Sequence, residues 1–221
     1  FAIHIFVGLH PYYRGRWSPI QVLIWPRGTW LLARFGSMRS KAVDRGELWR
    51  LVSAGFLHVD GLHFAVNLVG LLLVGRVVEA VFGPARTIAL FVIATMGGTT
   101  LSWLVGGTAS SVGASGGIFG LMGAAVYFGW TRASDLPDDV SRVLKRRLTI
   151  IVVLNLLIGL PISVIDNHAH VGGLLAGVAA AIPMGDRVTG TRPQSARATW
   201  MLITFSTLAI GWAAAGVWTR Y

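Results

Sequence analysis

From Thr87 to Thr131 the chain runs for 45 residues without an Asp, Glu, Lys or Arg. At ~1.5 Å per residue a single helix of that length would reach about 68 Å, more than twice the ~30 Å hydrocarbon thickness of a bilayer. The run therefore predicts two spans, broken at the small, polar Gly106-Gly107-Thr108-Ala109-Ser110-Ser111. Further uncharged segments, Leu148 to Ile165, Asn167 to Gly185 and Ala198 to Thr219, each predict one crossing. Upstream, an apolar stretch predicts a span from about Leu62 to Ala80, and residues 1 to 10 read as the end of an earlier one whose start is missing. The fold class expected is an all-α, polytopic membrane bundle.

Composition supports this solvent. Only 13% of residues are charged, against about a quarter in soluble domains, and 54% are hydrophobic. Lys and Arg outnumber Asp and Glu by 19 to 9, but the cations lie between apolar runs and form no nucleic-acid-binding stripe. No nucleic-acid partner is expected. With no Cys there is no disulfide, thiol nucleophile or Cys-ligated zinc. The abundance of Arg, Ala and Gly fits a GC-rich bacterial source.

The cations also predict orientation. The loops 76–86, 132–147 and 186–197 hold two, five and three, whereas the loops around 106–111 and 160–167 hold none. The basic loops are expected to be cytoplasmic and the others to face outward, in a plasma membrane. The connection 11–50 disagrees, carrying eight cations on the side that parity makes external. Its interleaved Trp17, Trp25, Trp30, Trp49 and arginines suit an irregular segment lying along the membrane interface.

Strongly polar side chains are expensive inside a bilayer and are functional candidates by default. Three groups stand out: His58 with His63 and Asn67, the last two four residues apart on one helix face; Gly113-Ala114-Ser115-Gly116-Gly117, opening one span; and Asp166-Asn167-His168-Ala169-His170, opening another. All three are expected near the outer side, where they could share a cavity. Each has a plainer reading. A string like G-x-S-x-G in a glycine-rich membrane helix is more often a packing device than a nucleophile. His63 and Asn67 could be an interhelical hydrogen-bond pair. His168 and His170 fall on nearly opposite helix sides, so at most one faces a cavity. Asp166 reads as an N-cap, and Glu79 as an inward-facing anchor near the cytoplasmic end of its helix. Four histidines could also supply zinc ligands, but there is no H-E-x-x-H and no carboxylate base beside them except Asp166. A carrier is disfavoured by the lack of charge within the spans and of inverted repeats.

Taken together, Trp49-Arg50, His58, His63-x-x-x-Asn67, Gly75-x-x-x-Glu79, Gly113-Ala114-Ser115-Gly116 and Ala169-His170-x-x-Gly173-x-x-x-Gly177 resemble the rhomboid family of intramembrane serine proteases. The resemblance covers about Gly46 to Gly177. It implies a dyad with Ser115 as nucleophile and His170 as general base and acid, and no carboxylate. It implies an oxyanion site of His63, Asn67 and the Ser115 backbone N–H, with Phe119 as an aromatic ring against the histidine. His58 and Gly113 are expected to support these groups. Gly173 and Gly177, one and two turns beyond His170, form a small-x-x-x-small face that would let the two site helices approach. The expected activity is serine endopeptidase cleavage of other proteins' transmembrane segments in an outward-facing, water-filled cavity, with no metal and no cofactor. A silent pseudoprotease binding membrane-protein clients is the alternative. Residues 1–185 are expected to form a six-helix core with a truncated first helix, and 186–221 a cytoplasmic loop and an added seventh helix.

Overall fold

The computed structural model describes residues 29–106, 110–162, 164–188 and 196–219. The expected span end at 1–10 and the Trp- and Pro-bearing stretch 11–28 lie outside the described residues. Three short helices, α1 (Thr29–Phe35), α2 (Ser40–Val43) and α3 (Arg50–Ser53), precede the long ones. These are α4 (Gly61–Phe82), α5 (Pro84–Val105), α6 (Ser115–Thr131), α7 (Asp138–Arg142) running through a π-helical turn at 143–147 into α8 (Leu148–Gly159), α9 (Asn167–Ala181) and α10 (Ala196–Trp218). Extended pairing among the described residues is confined to one antiparallel bridge between Met38 and Ser111. The chain is an integral, multi-pass membrane protein of all-α architecture: α4, α5 and α10 alone are each at least 22 residues long and apolar enough to cross a bilayer.

Local chemistry sets the boundaries. Asp60 caps α4 by accepting from the His63 backbone N–H at 2.7 Å. Gly83, at φ +83°, ends α4, and Pro84 at once begins α5, where a missing N–H costs nothing. One difference from expectation concerns α8. The helix expected at 148–165 begins earlier, at Asp138 in the charged loop, and stops at Gly159, because Pro161 supplies no N–H to extend the hydrogen-bond ladder.

The core is a three-helix contact among α5, α6 and α9, with every residue of α6 from Gly116 to Ala125 buried. Small residues make this possible. A Cβ on Gly173 or Gly177 of α9 would run into the backbones of Gly116 and Gly120 of α6, and Gly98 of α5 faces the Ala169 carbonyl. Around this seam lies a larger apolar cluster of Val78, Phe82, Leu90, Leu121, Phe128 and Ala181.

Two expectations need correction. Glu79 does not face inward but is exposed. The buried face of α4 follows Asn67, Val74, Val78 and Val81, and Glu79 lies about 100° around the helix from Val78. The described part of the 11–50 connection is also not irregular. Buried Arg50 pairs with Glu47 at 2.7 Å and donates to the carbonyls of Ala33 at 2.6 Å and Ser37 at 3.0 Å, so one guanidinium ties α1 and α3 together. Against this folded unit and α5 packs α10: Gly216 lies against the Trp49 ring, and Ser206 Oγ donates to the Ala89 carbonyl at 3.4 Å.

The basic loops after α4, α6 and α9 gather at one end of the bundle, while the cations of residues 29–50 lie on the side of Ser111, with which Met38 pairs. At the end of the basic loops, Arg86 donates to the Gly185 carbonyl at 2.6 Å, Arg132 pairs with Asp186 at 3.7 Å and the Arg187 guanidinium covers Gly83. The other end, where α6 and α9 begin, carries the polar groups singled out in the sequence.

Candidate active site

Ser115 is the first residue of α6, and the two residues before it are held from outside the helix. The Gly113 N–H donates to the Ala54 carbonyl at 3.0 Å, and the Ala114 N–H points to His58 Nε2 at 3.5 Å. Gly113 adopts φ +125°, a region open to glycine and strained for other residues. It also lies close under the His63 ring: a Cβ there would meet His63 Nε2 at 2.9 Å and, at 3.9 Å, Ser115 Oγ. The glycine thus keeps open the space between His63 and Ser115. The first-turn N–H groups of α6, beginning with that of Ser115, have no carbonyl one turn back to bind, and the helix dipole adds positive potential there.

His170, in the first turn of α9, is buried and faces Ser115. Its Nε2 lies 2.9 Å from Ser115 Oγ. The Phe119 ring, one turn along α6 from Ser115, stacks on the imidazole with centroids 4.3 Å apart and planes 15° from parallel. Nδ1 is buried and has no hydrogen-bond partner among the described residues. Asp166 caps α9 as read from the sequence, Oδ1 accepting from the Ala169 N–H at 3.0 Å. His168, two residues earlier than His170, is exposed.

His58, His63 and Asn67 form the third wall. The His58 ring meets His63 and Phe64 edge-on, each with centroids 5.2 Å apart. Asn67 is buried one turn below His63 and donates one amide N–H to the His63 carbonyl at 2.8 Å. A second amide N–H is not used by that bond. All three polar groups of the sequence therefore meet at one end of the bundle, around Ser115. Chemically, a hydroxyl bonded to an imidazole, beside a helix N-terminus and an amide, can support nucleophilic attack and hold a developing oxyanion. Among the described residues no three His, Asp or Glu side chains gather in a group able to hold a metal ion.

Some contributors were not singled out in the sequence. Ser102 Oγ, wholly buried on α5, donates to Asp166 Oδ2 at 2.5 Å. Gly97 and Gly98 of α5 contact Gly172 and Ala169 of α9. A signal was present: Gly98 and Ser102 are four apart, so they share a small-residue face of α5.

A family model described as Rhomboid domain matches residues 45–187. RHOMBOID-like protein 5 of Arabidopsis thaliana is 38% identical over 148 residues, 66% of this chain and 47% of that protein. Rhomboid protease GluP of Bacillus subtilis is 34% identical over 154 residues, 70% of this chain and 29% of its own length. Rhomboid-like protease 3 of Toxoplasma gondii is 32% identical over 151 residues, 67% of this chain and 56% of its own. The match thus spans from 29% to 56% of the length of these three relatives.

Proposed function

From the premise that this chain belongs to the rhomboid family, we propose that it is an intramembrane serine endopeptidase working through a Ser115–His170 dyad. The observation that carries this reading is the 2.9 Å approach of His170 Nε2 to Ser115 Oγ, with Phe119 stacked on the ring. His170, neutral and with its lone pair on Nε2, takes the Ser115 proton as Oγ attacks the scissile carbonyl carbon. The tetrahedral oxyanion is stabilised by the Ser115 N–H, the free amide hydrogen of Asn67 and a ring N–H of His63. As the intermediate collapses, the protonated His170 gives its proton to the leaving amine. Water, deprotonated by the same imidazole, then hydrolyses the acyl-enzyme and restores Ser115.

Among the described residues no group accepts a hydrogen bond from Nδ1, and the Phe119 ring packed flat on the imidazole holds its orientation. The N-cap duty of Asp166 agrees with a dyad. His58 and Gly113 support the loop that presents Ser115.

The substrate class proposed is the transmembrane segment of another protein, cut near its outer end. α6 and α9, of 17 and 15 residues, are about 26 and 23 Å long, shorter than the ~30 Å hydrocarbon layer. Their N-termini would therefore lie below the bilayer surface, in a polar recess that water enters from outside. The outward orientation rests on the short basic loops at the opposite end of the bundle.

The test is cleavage of a single-span substrate in liposomes by the purified protein and its Ser115→Ala and His170→Ala variants. Cleavage by the parent and by neither folded variant supports the dyad. Equal cleavage by all three rejects the serine mechanism. A folded parent that binds but never cuts such segments is a pseudoprotease.

A further inference from the structure

The N-cap of α9 does more than end a helix. Asp166 uses its two oxygens on two different elements: Oδ1 receives the Ala169 N–H of its own helix, and Oδ2 receives the Ser102 hydroxyl of α5. The Ser102 bond, at 2.5 Å, is charge-assisted and its donor is fully buried, the setting in which a hydrogen bond is strong and directional. Much of the remaining contact between α9 and its neighbours is made by small residues, Gly172, Gly173 and Gly177 against Gly97, Gly98, Gly116 and Gly120, with Leu174 and Val178 reaching Gly123 farther along the helix. Glycine faces allow close approach but have no side-chain knobs to resist sliding along the helix axis. His170 N donates to the Asp166 carbonyl at 3.2 Å, so it lies one turn from the cap. Any axial slip of the cap is therefore a slip of the imidazole away from Ser115.

We propose that Ser102 and Asp166 are a positioning pair: the hydroxyl–carboxylate bond fixes the axial register of α9 on α5 and so sets the reach of His170 to Ser115. This rests on the dyad reading above. The pair touches no reacting atom. An Asn at 166 can play the same part, its Oδ1 capping Ala169 and its Nδ2 donating to a Ser102 hydroxyl turned to accept. A carboxylate that worked directly on His170 could not be so replaced.

The experiment measures kcat and KM with a single-span substrate in liposomes for the parent, Ser102→Ala, Asp166→Asn, Asp166→Ala and the Ser102→Ala/Asp166→Ala double variant. Amide hydrogen exchange of residues 167–171 is followed in the same proteins. A misplacement of about 1 Å can cost on the order of a hundredfold in rate. We expect kcat to fall about tenfold in Ser102→Ala and about a hundredfold in Asp166→Ala, with KM unchanged, and Asp166→Asn to stay within about threefold of the parent. The double variant should be no worse than Asp166→Ala, as for two groups acting as one. Exchange at 167–171 should quicken in both alanine variants and not in Asp166→Asn. Parent-like kcat in both alanine variants overturns the proposal, as does an Asp166→Asn protein as inactive as Asp166→Ala. If Asp166→Ala does not fold, Ser102→Ala and Asp166→Asn decide by the same criteria. If the folded parent cuts nothing, the protease reading fails, and exchange alone judges the pair: unaltered exchange in Ser102→Ala rejects it, and faster exchange upholds it.

Discussion

The Phe119 ring lies flat on the His170 imidazole, 4.3 Å between centroids and 15° between planes. It covers one face of a ring whose Nδ1 finds no partner among the described residues and whose Nε2 meets Ser115. Aromatic contacts of this kind contribute about 0.5–1.5 kcal/mol beyond burial, which is up to about tenfold in a rate that depends on ring orientation. Phe119→Ala is expected to lower kcat about tenfold while Phe119→Tyr stays close to the parent. Steady-state cleavage in liposomes checks this, and equal rates for the alanine variant and the parent would remove the ring-holding role.

The oxyanion assignment predicts a different signature. His63→Ala and Asn67→Ala should each lose about 10² to 10³ in kcat, with less change in KM, because the donors act on charge that develops only in the transition state. Since both serve one oxygen, the double variant should lose less than the product of the two. Purely multiplicative losses would mean that the residues act independently of a shared oxyanion.

Gly113 is tested by a single methyl group. Its φ of +125° and the nearness of His63 Nε2, 2.9 Å from a built Cβ, make Gly113→Ala both strained and crowded. Backbone strain of this type costs about 1–3 kcal/mol. The variant should remain folded with a lowered Tm and lose most of its kcat, because relief requires His63 or the Ser115 loop to move. Thermal melts in detergent alongside cleavage separate the two effects; unchanged kcat would show that the space above Gly113 is not used.

Gly173→Leu should inactivate without touching a reacting atom. Its Cβ would enter the backbone of Gly116, beside Ser115, so α6 and α9 must part. Overpacking in a tight core costs about 1–3 kcal/mol or more, and Gly173→Ala should show a milder version of the same defect. Full activity with a normal melt in Gly173→Leu would contradict the seam as the element that brings His170 to Ser115.

Much of the site could be read before any coordinates. His63 and Asn67 stand four apart, the Ser115 motif follows a glycine-rich break, and His170 precedes Gly173 and Gly177 at helical spacing, so type and order were visible along the chain. Glu79 was misread because a polar residue in an apolar run does not reveal its helix face; only the buried line through Val74, Val78 and Val81 does. Ser102 is only half legible: its spacing from Gly98 marks a small-residue face, but a hydroxyl can also satisfy itself on its own helix backbone, so the spacing does not name Asp166 as its partner.

The amino-acid order by itself determined that this is a multi-span helical membrane protein, where most of its helices break and that Ser115, His63, Asn67 and His170 belong to polar clusters needing shelter. Hydrophobic run length, glycine and proline breaks and the cost of a buried polar group are local quantities, and local sequence suffices to evaluate them. Only the tertiary structure decided that Asp166 turns one oxygen to Ser102, that Arg50 ties α1 to α3, and that Trp49 receives Gly216 of α10. Those outcomes depend on contacts between residues up to 167 positions apart, set by how closely glycine faces let helices approach, and no periodicity along one helix encodes the neighbour it will meet.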